Sequence, residues 1–277
     1  HWFFRGLLYF NEDGSDVNNN NKSLFDMVKR TLQGDNSLVA FCDNSSVIKG
    51  HEVKDIVYKN LLYTVRKREY DIVFTAETHN FPTGIAPFPG ASTGTGGRIR
   101  DNIAVGRGGM ITAGTAGYCV GSLNIPGYEQ NWERDLNLKY INDKTINEPL
   151  RILIEASNGA SDYGNKIGEP IIQGFTRSFG AYINKDRIEW LKPIMFSAGL
   201  GQIPHKFLKK EEPQEGMNIV RMGGPAFRIG VGGGAASSRV QTAENLEVDL
   251  NSVQRGDPQM ENRLVRVIRR CLDMGTN

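Results

Sequence analysis

Apolar residues along the chain fall into short blocks separated by polar and glycine-rich stretches. Trp2 to Phe10 is aromatic-rich and reads as extended, and the polar, Asn-rich Asn11 to Asn21 reads as an exposed insertion. Ser23 is placed to cap a helix whose stripe is Leu24, Phe25, Val28 and Leu32, with Asp26 in its first turn and Gly34 as its stop. Ser37 to Cys42 and Tyr70 to Ala76 read as strands, whereas Lys49 to Arg68 is open between a helix and a long loop. Gly84 to Gly109 reads as a long glycine-rich loop, followed by strands over Met110 to Leu123 and Leu150 to Ala156. Gly127 to Pro149 reads as polar connection, Asn158 to Glu169 as a second Gly/Asn/Ser loop, and Tyr182 to Phe196 as mixed strand and turn. After a charged linker, Lys206 to Glu215, the pattern predicts a strand over Met217 to Met222. Asp257-Pro258 then opens a helix carrying Met260, Leu264, Val267, Ile268 and Cys271, stopped by Gly275. The alternation predicts an α/β fold, divided into a lead-in over 1–36, a first unit over 37–205 and a second beginning at 216–277.

Composition narrows the function classes. Hydrophobic residues at 39% and charged residues at 23% are ordinary for a globular chain, and the formal charge is only +2. A near-balanced chain gives no basic surface for nucleic acid, and no run approaches the ~20 apolar residues of a membrane span. Cys42, Cys119 and Cys271 form no C-x-x-C pair and read as reduced, buried structural thiols, which suits the cytoplasm. Glycine stands out, at 32 of 277 residues against the usual ~7%. Twelve lie between Gly84 and Gly127, and another group runs from Gly223 to Gly234, where the backbone must turn sharply or approach something closely.

Candidate chemistry gathers at two of these places. Thr75-Ala76-Glu77-Thr78-His79-Asn80-Phe81-Pro82 leaves an apolar strand and becomes abruptly polar, as strand ends at α/β sites do. Continued alternation would put Glu77 and His79 on one face and Thr78 and Asn80 on the other; a turn built on Asn-Phe-Pro is the plainer alternative. In Gly90-Ala91-Ser92-Thr93-Gly94-Thr95-Gly96-Gly97-Arg98-Ile99-Arg100-Asp101, small residues would let backbone N–H groups surround phosphate. Arg98 and Arg100 would offer guanidinium forks, and Asp101 a hard oxygen ligand. No Gly-Lys-Ser/Thr follows, so this is not a P-loop, and a flexible linker remains the alternative. Glu77 and Asp101 together would suit Mg²⁺ beside ATP. Ser157 to Pro170 could close over a nucleotide with Lys166 near phosphate. Gly223 to Ser238 reads either as anion binding or as close packing at a domain junction.

Longer motifs carry a resemblance. TAETHNFPTG, GASTGTGGRIRD, ASNGASDYGNKIGEP, KPIMFSAGLG, GGPAFRIGVGGGAASS and SVQRGDP together resemble the large, single-chain phosphoribosylformylglycinamidine synthase family, from HWFFRG at the start to the end of the chain. The resemblance implies a fold like that of aminoimidazole ribonucleotide synthetase, with an N-terminal α/β half and the beginning of a second lobe. It also implies ATP-dependent conversion of formylglycinamide ribonucleotide to its amidine through an iminophosphate, in purine biosynthesis. ATP and Mg²⁺ are the implied cofactors; the implied partners are a second synthetase half and a glutaminase domain that supplies ammonia, neither of them in this chain. Gly90 to Asp101 with Lys166, Ile167 and Gly168 would contact ATP, and Glu77 and Asp101 would hold the metal. Thr78, His79, Asn80, Phe81 and Arg100 would contact substrate, His79 acting as acid/base. A non-catalytic scaffold relative and another ATP-dependent synthetase of the superfamily are the alternatives.

Overall fold

The computed structural model describes residues 24–32, 34, 36–59, 61–133, 146–225 and 242–274. The expected extended opening, the Asn-rich insertion, the Ser23 cap, the Gly230–Gly234 cluster and the Gly275 stop lie outside them.

A short helix α1 (Leu24–Arg30) precedes β1 (Ser37–Val39), β2 (Ser46–Lys59) and β3 (Leu62–Thr78). The ambiguous 49–68 segment is therefore a long hairpin, paired from Ser46↔Phe74 to Lys59↔Leu62. Its charged positions pair across the strands: Asp55 and Arg66 are register partners and form an ion pair at 3.0 Å, and Lys67 reaches Glu52 diagonally at 3.0 Å.

Two helices follow, α2 (Asn80–Ile85) and α3 (Pro87–Ala104), then β4 (Met110–Val120), α4 (Pro149–Ile167) and β5 (Ile171–Ser178). Beyond the ribbon β6 (Gly180–Ile183) and β7 (Asp186–Glu189) come β8 (Ile194–Pro204), α5 (Leu246–Ser252) and α6 (Pro258–Met274). The main sheet runs β1-β2-β3-β8-β4-β5 and is antiparallel except for the parallel β4–β5 pair, which α4 connects. The fold is α/β with a mixed sheet.

Several expectations are corrected. Gly84 to Gly109 is mostly helix, not loop. Leu150–Ala156 and the expected second loop as far as Ile167 form one helix, α4, whose buried Ile152, Ala156, Ala160, Tyr163 and Ile167 recur at helical spacing. It ends at Gly168, at φ +91, whose N–H returns to Gly164 O. Met217–Met222 is irregular and exposed, with no strand pairing it among the described residues. Cys42 and Cys271 are exposed rather than buried, and Cys119 is half-buried.

The core lies on one face of the sheet. Ala91 of α3, Ile152, Ala156 and Ala160 of α4, Tyr118 and Val120 of β4 and Met195 of β8 form one cluster. Ile99, Ile103, Tyr163, Ile167 and Val265 tie α3, α4 and α6 into another. Helix α3 is thus covered nearly all round, and its glycines serve that packing. A methyl at Gly90 would lie 2.3 Å from Pro82 O, and one at Gly96 would lie 2.5 Å from the Tyr163 ring. On the opposite sheet face Ile48, Ile72, Phe74 and Leu200 are exposed and neighbour one another through strand register.

Candidate active site

The polar end of β3 meets α3. The strand stops at Thr78 and His79 turns the chain into α2, so the alternation expected through Asn80 ends early. Asn80 Oδ1 accepts the Met195 N–H at 3.1 Å, and the Thr83 hydroxyl donates to His79 O, fixing the turn against β8. Thr78 is exposed, whereas Phe81, at 2% exposure, packs with Ile85, Leu246 and Leu250. The Phe81 ring is a core group there.

Glu77, His79, Arg100 and Asp101 converge. Burial, and beyond it the charge of Asp101, hold the Glu77 carboxyl above its ordinary range. A carboxyl raised by a neighbouring carboxylate is one whose charge a divalent cation would compensate. Asp101 Oδ1 also accepts from Asn44 Nδ2 at 3.2 Å. Burial pushes His79 below the ordinary histidine range; a Gly90 backbone group opposes this, and the Arg100 charge reinforces it. The ring sits close on α3 because residue 94 is glycine, where a methyl would lie 2.8 Å from His79 Cβ. Beside these groups a cleft of about 710 Å³ is lined by Phe41, Asn44, Thr75, Glu77, Thr115 and Leu200. That volume suits a nucleotide-sized ligand.

The expected phosphate cradle is not built as a nest. Residues 87–104 are helical, and Gly90 N–H already donates to Ala86 O at 2.8 Å. Gly90, Ala91, Ser92, Thr93, Gly94, Thr95, Gly96, Arg98 and Ile99 are buried. Arg98 is fully buried against an equally buried Glu169 at 2.6 Å, so it offers no fork to phosphate. Thr93 Oγ1 donates to Gln254 O at 2.7 Å. Gly97, Arg100 and Asp101 are the less buried members of the motif. Lys166 pairs with Asp162 at 2.7 Å on α4, Ile167 is core and Gly168 caps the helix; no described contact brings them to Glu77 or Asp101.

Sequence reasoning missed Asn44, Glu169, Tyr163 and Glu261. Only Asn44 carried a signal, a polar Asp-Asn-Ser-Ser turn directly after a strand. Among the described residues, three His, Cys, Asp or Glu side chains close enough to share an ion occur as Glu69, Asp71 and His205. Glu77 and Asp101 are not part of that group.

Comparison with known proteins adds the chain's kinship. No family model matches it. A phosphoribosylformylglycinamidine synthase of Dictyostelium discoideum is 55% identical over 280 residues, covering 99% of this chain and 20% of that protein. Nearly the whole chain is similar to one segment of a phosphoribosylformylglycinamidine synthase. The Homo sapiens phosphoribosylformylglycinamidine synthase is 50% identical over 281 residues, and a probable chloroplastic/mitochondrial one of Arabidopsis thaliana 52% over 282, each again covering 99% of this chain and 20% of the relative. The chain spans about one fifth of the length of these synthases. Among solved structures, Thermotoga maritima PurL complexed with FGAR is similar at a TM-score of 0.48 with 24% identity, over 74% of this chain and 28% of that one.

Proposed function

We propose that this chain is the part of a phosphoribosylformylglycinamidine synthase in which ATP activates formylglycinamide ribonucleotide for attack by ammonia. The observation that carries the reading is 55% identity to such a synthase across 99% of the chain. In the proposed reaction the amide oxygen takes the γ-phosphoryl group and ADP leaves. Ammonia then adds to the carbon, and phosphate departs with that oxygen. Glu77 and Asp101 would hold Mg²⁺, which when bound offsets phosphate charge. Arg100, half-exposed at the rim, supplies a guanidinium to anionic oxygens of the reactants. His79, held neutral near pH 7, accepts a proton from the incoming nitrogen. Phosphoryl transfer needs positioned charge more than covalent help, and these groups supply that.

In this reading residues 37–205 are the N-terminal, ATP-binding half and 216–277 begin a second lobe. The exposed apolar face of Ile48, Ile72, Phe74 and Leu200 is the surface that the second synthetase half covers, and a glutaminase domain supplies the ammonia. Free thiols support a cytoplasmic setting, although the plant relative is named chloroplastic/mitochondrial. No described helix is long and apolar enough to cross a membrane.

The test is amidine formation by the synthase that carries this chain, with ATP, Mg²⁺, formylglycinamide ribonucleotide and ammonia. Turnover with one ADP and one phosphate per amidine is expected. Absence of ATP-dependent amidine formation refutes the reading.

A further inference from the structure

Helix α6 reaches back to the rim of the site through one carboxylate. Asp257 Oδ1 accepts the N–H groups of Gln259 and Met260, each at 3.0 Å, fixing the first turn of α6. That turn aims Glu261 inward at 7% exposure. Its Oε2 accepts from both the Tyr163 hydroxyl and Arg100 Nη1, the latter at 3.3 Å, while the buried Oε1 has no partner. Tyr163 is fully buried and wedged between two glycines: a methyl at Gly96 or Gly256 would lie 2.5 or 3.0 Å from its ring. The phenol is therefore fixed, it fixes the carboxylate, and the carboxylate faces the guanidinium of Arg100, the residue next to Asp101.

We propose that Glu261 is a positioning residue that holds Arg100 in place at the site from the lobe beyond the linker. The proposal rests on the reading that Arg100 meets the reactants. A packing role alone explains the geometry less well. An apolar side chain would fill the space, whereas a buried carboxylate with one unpartnered oxygen is costly unless a neighbouring cation compensates it. Burial holds the Glu261 carboxyl above its ordinary range and the Glu169 charge adds to this, while the Tyr163 hydroxyl and Arg100 oppose it. Burial also raises the Tyr163 phenol, so it stays a donor at neutral pH.

The experiment uses the full synthase with the isosteric variant Glu261→Gln, alone and combined with Arg100→Gln. Loss of one charge-assisted contact predicts a KM for formylglycinamide ribonucleotide raised on the order of tenfold. The KM for ATP should stay within about twofold, and no further change should appear when Arg100 is already Gln. Tyr163→Phe should raise the same KM to a smaller extent. Side-chain NMR of the Arg100 guanidinium, read in parallel, should show it more mobile in Glu261→Gln. An unchanged guanidinium signal overturns the proposal, as does a Glu261→Gln effect that persists in full in the Arg100→Gln background. If Arg100→Gln leaves KM and kcat intact while the guanidinium is loosened, the positioning stands and the reading of Arg100 at the reactants falls.

Discussion

Replacing Arg98 by Met separates the two roles that its place in a Gly-rich, Arg-containing motif allows. Arg98 and Glu169 are both fully buried and joined at 2.6 Å. Arg98 Nε and Nη2 and Glu169 Oε2 have no other partner. Removing the guanidinium leaves a fully buried carboxylate beside Gly114 with its charge uncompensated. Breaking a buried pair from one side costs about 3–5 kcal/mol, whereas replacing both members with apolar groups is often neutral or stabilising. Arg98→Met should therefore lose about 3–5 kcal/mol at pH 7, and Arg98→Met with Glu169→Met should regain most of it.

The pH dependence has a definite sign. Burial raises the Glu169 carboxyl and Arg98 lowers it, so removing Arg98 raises it further. A carboxyl raised in the folded state contributes stability that is present below its unfolded pKa and lost as pH rises through its folded one. The penalty in Arg98→Met should therefore shrink as pH falls toward 4. Equilibrium urea unfolding of the chain, followed by tryptophan fluorescence at pH 4.5 and 7, measures both effects. A single variant within about 1 kcal/mol of the parent, or a double variant no better than the single, would refute the structural assignment of this pair.

Three other outcomes are open to measurement. Gly96→Ala should destabilise by about 1–3 kcal/mol despite the better helix propensity of alanine, because its methyl lands 2.5 Å from the Tyr163 ring; thermal unfolding reads it, and a stabilised variant contradicts the packing account. Asp101→Asn should bring the Glu77 carboxyl down toward its ordinary range without restoring it, since burial remains, and should raise the Mg²⁺ concentration needed for half-maximal turnover of the full synthase; carbon-13 titration and metal dependence report these separately. His79→Asn should reduce turnover with ammonia on the order of 10²-fold and abolish the fall in rate on acidification below the ordinary histidine range, where the wild-type imidazole protonates; a retained acid limb would exclude His79 as its source.

What could be read from the residues depended on whether burial was one-sided. Helix α6 was legible from its start at Asp257-Pro258 and its apolar spacing, although Val267 and Cys271 of the expected stripe are exposed and Glu261 is buried. The strand leading to Glu77 was legible from its apolar run, and so was its polar end. Helices α3 and α4 were not. Helix α3 is buried almost all round, so no polar face marks its period, and glycine's low propensity argued for a loop. On α4 the signal was present but borne by small residues: Ala156, Ala160 and Gly164 stand at positions where a search for large apolar side chains finds gaps. The hairpin was obscured because its exposed end carries charge on both faces, with Arg66-Lys67-Arg68-Glu69 in succession and no clean alternation.

The same geometry explains why the two arginines of the motif part company. Arg98 and Arg100 are two residues apart, which on a helix turns them about 200° from one another. On a loop both could have faced phosphate. On α3 one must point inward, where Glu169 compensates it, and the other outward to the rim, where Glu261 approaches from α6. Asp101, one further position round, faces Glu77 across the gap that the strand end leaves. The glycines thus shape the site at one remove. They thin α3 until His79 and Tyr163 can lie directly on it, and that close approach brings the carboxylates and the guanidinium to one mouth. A chain with alanines at Gly94 and Gly96 would keep every polar residue of the motif, but pushing α3 away from the end of β3 would separate Glu77 from Asp101.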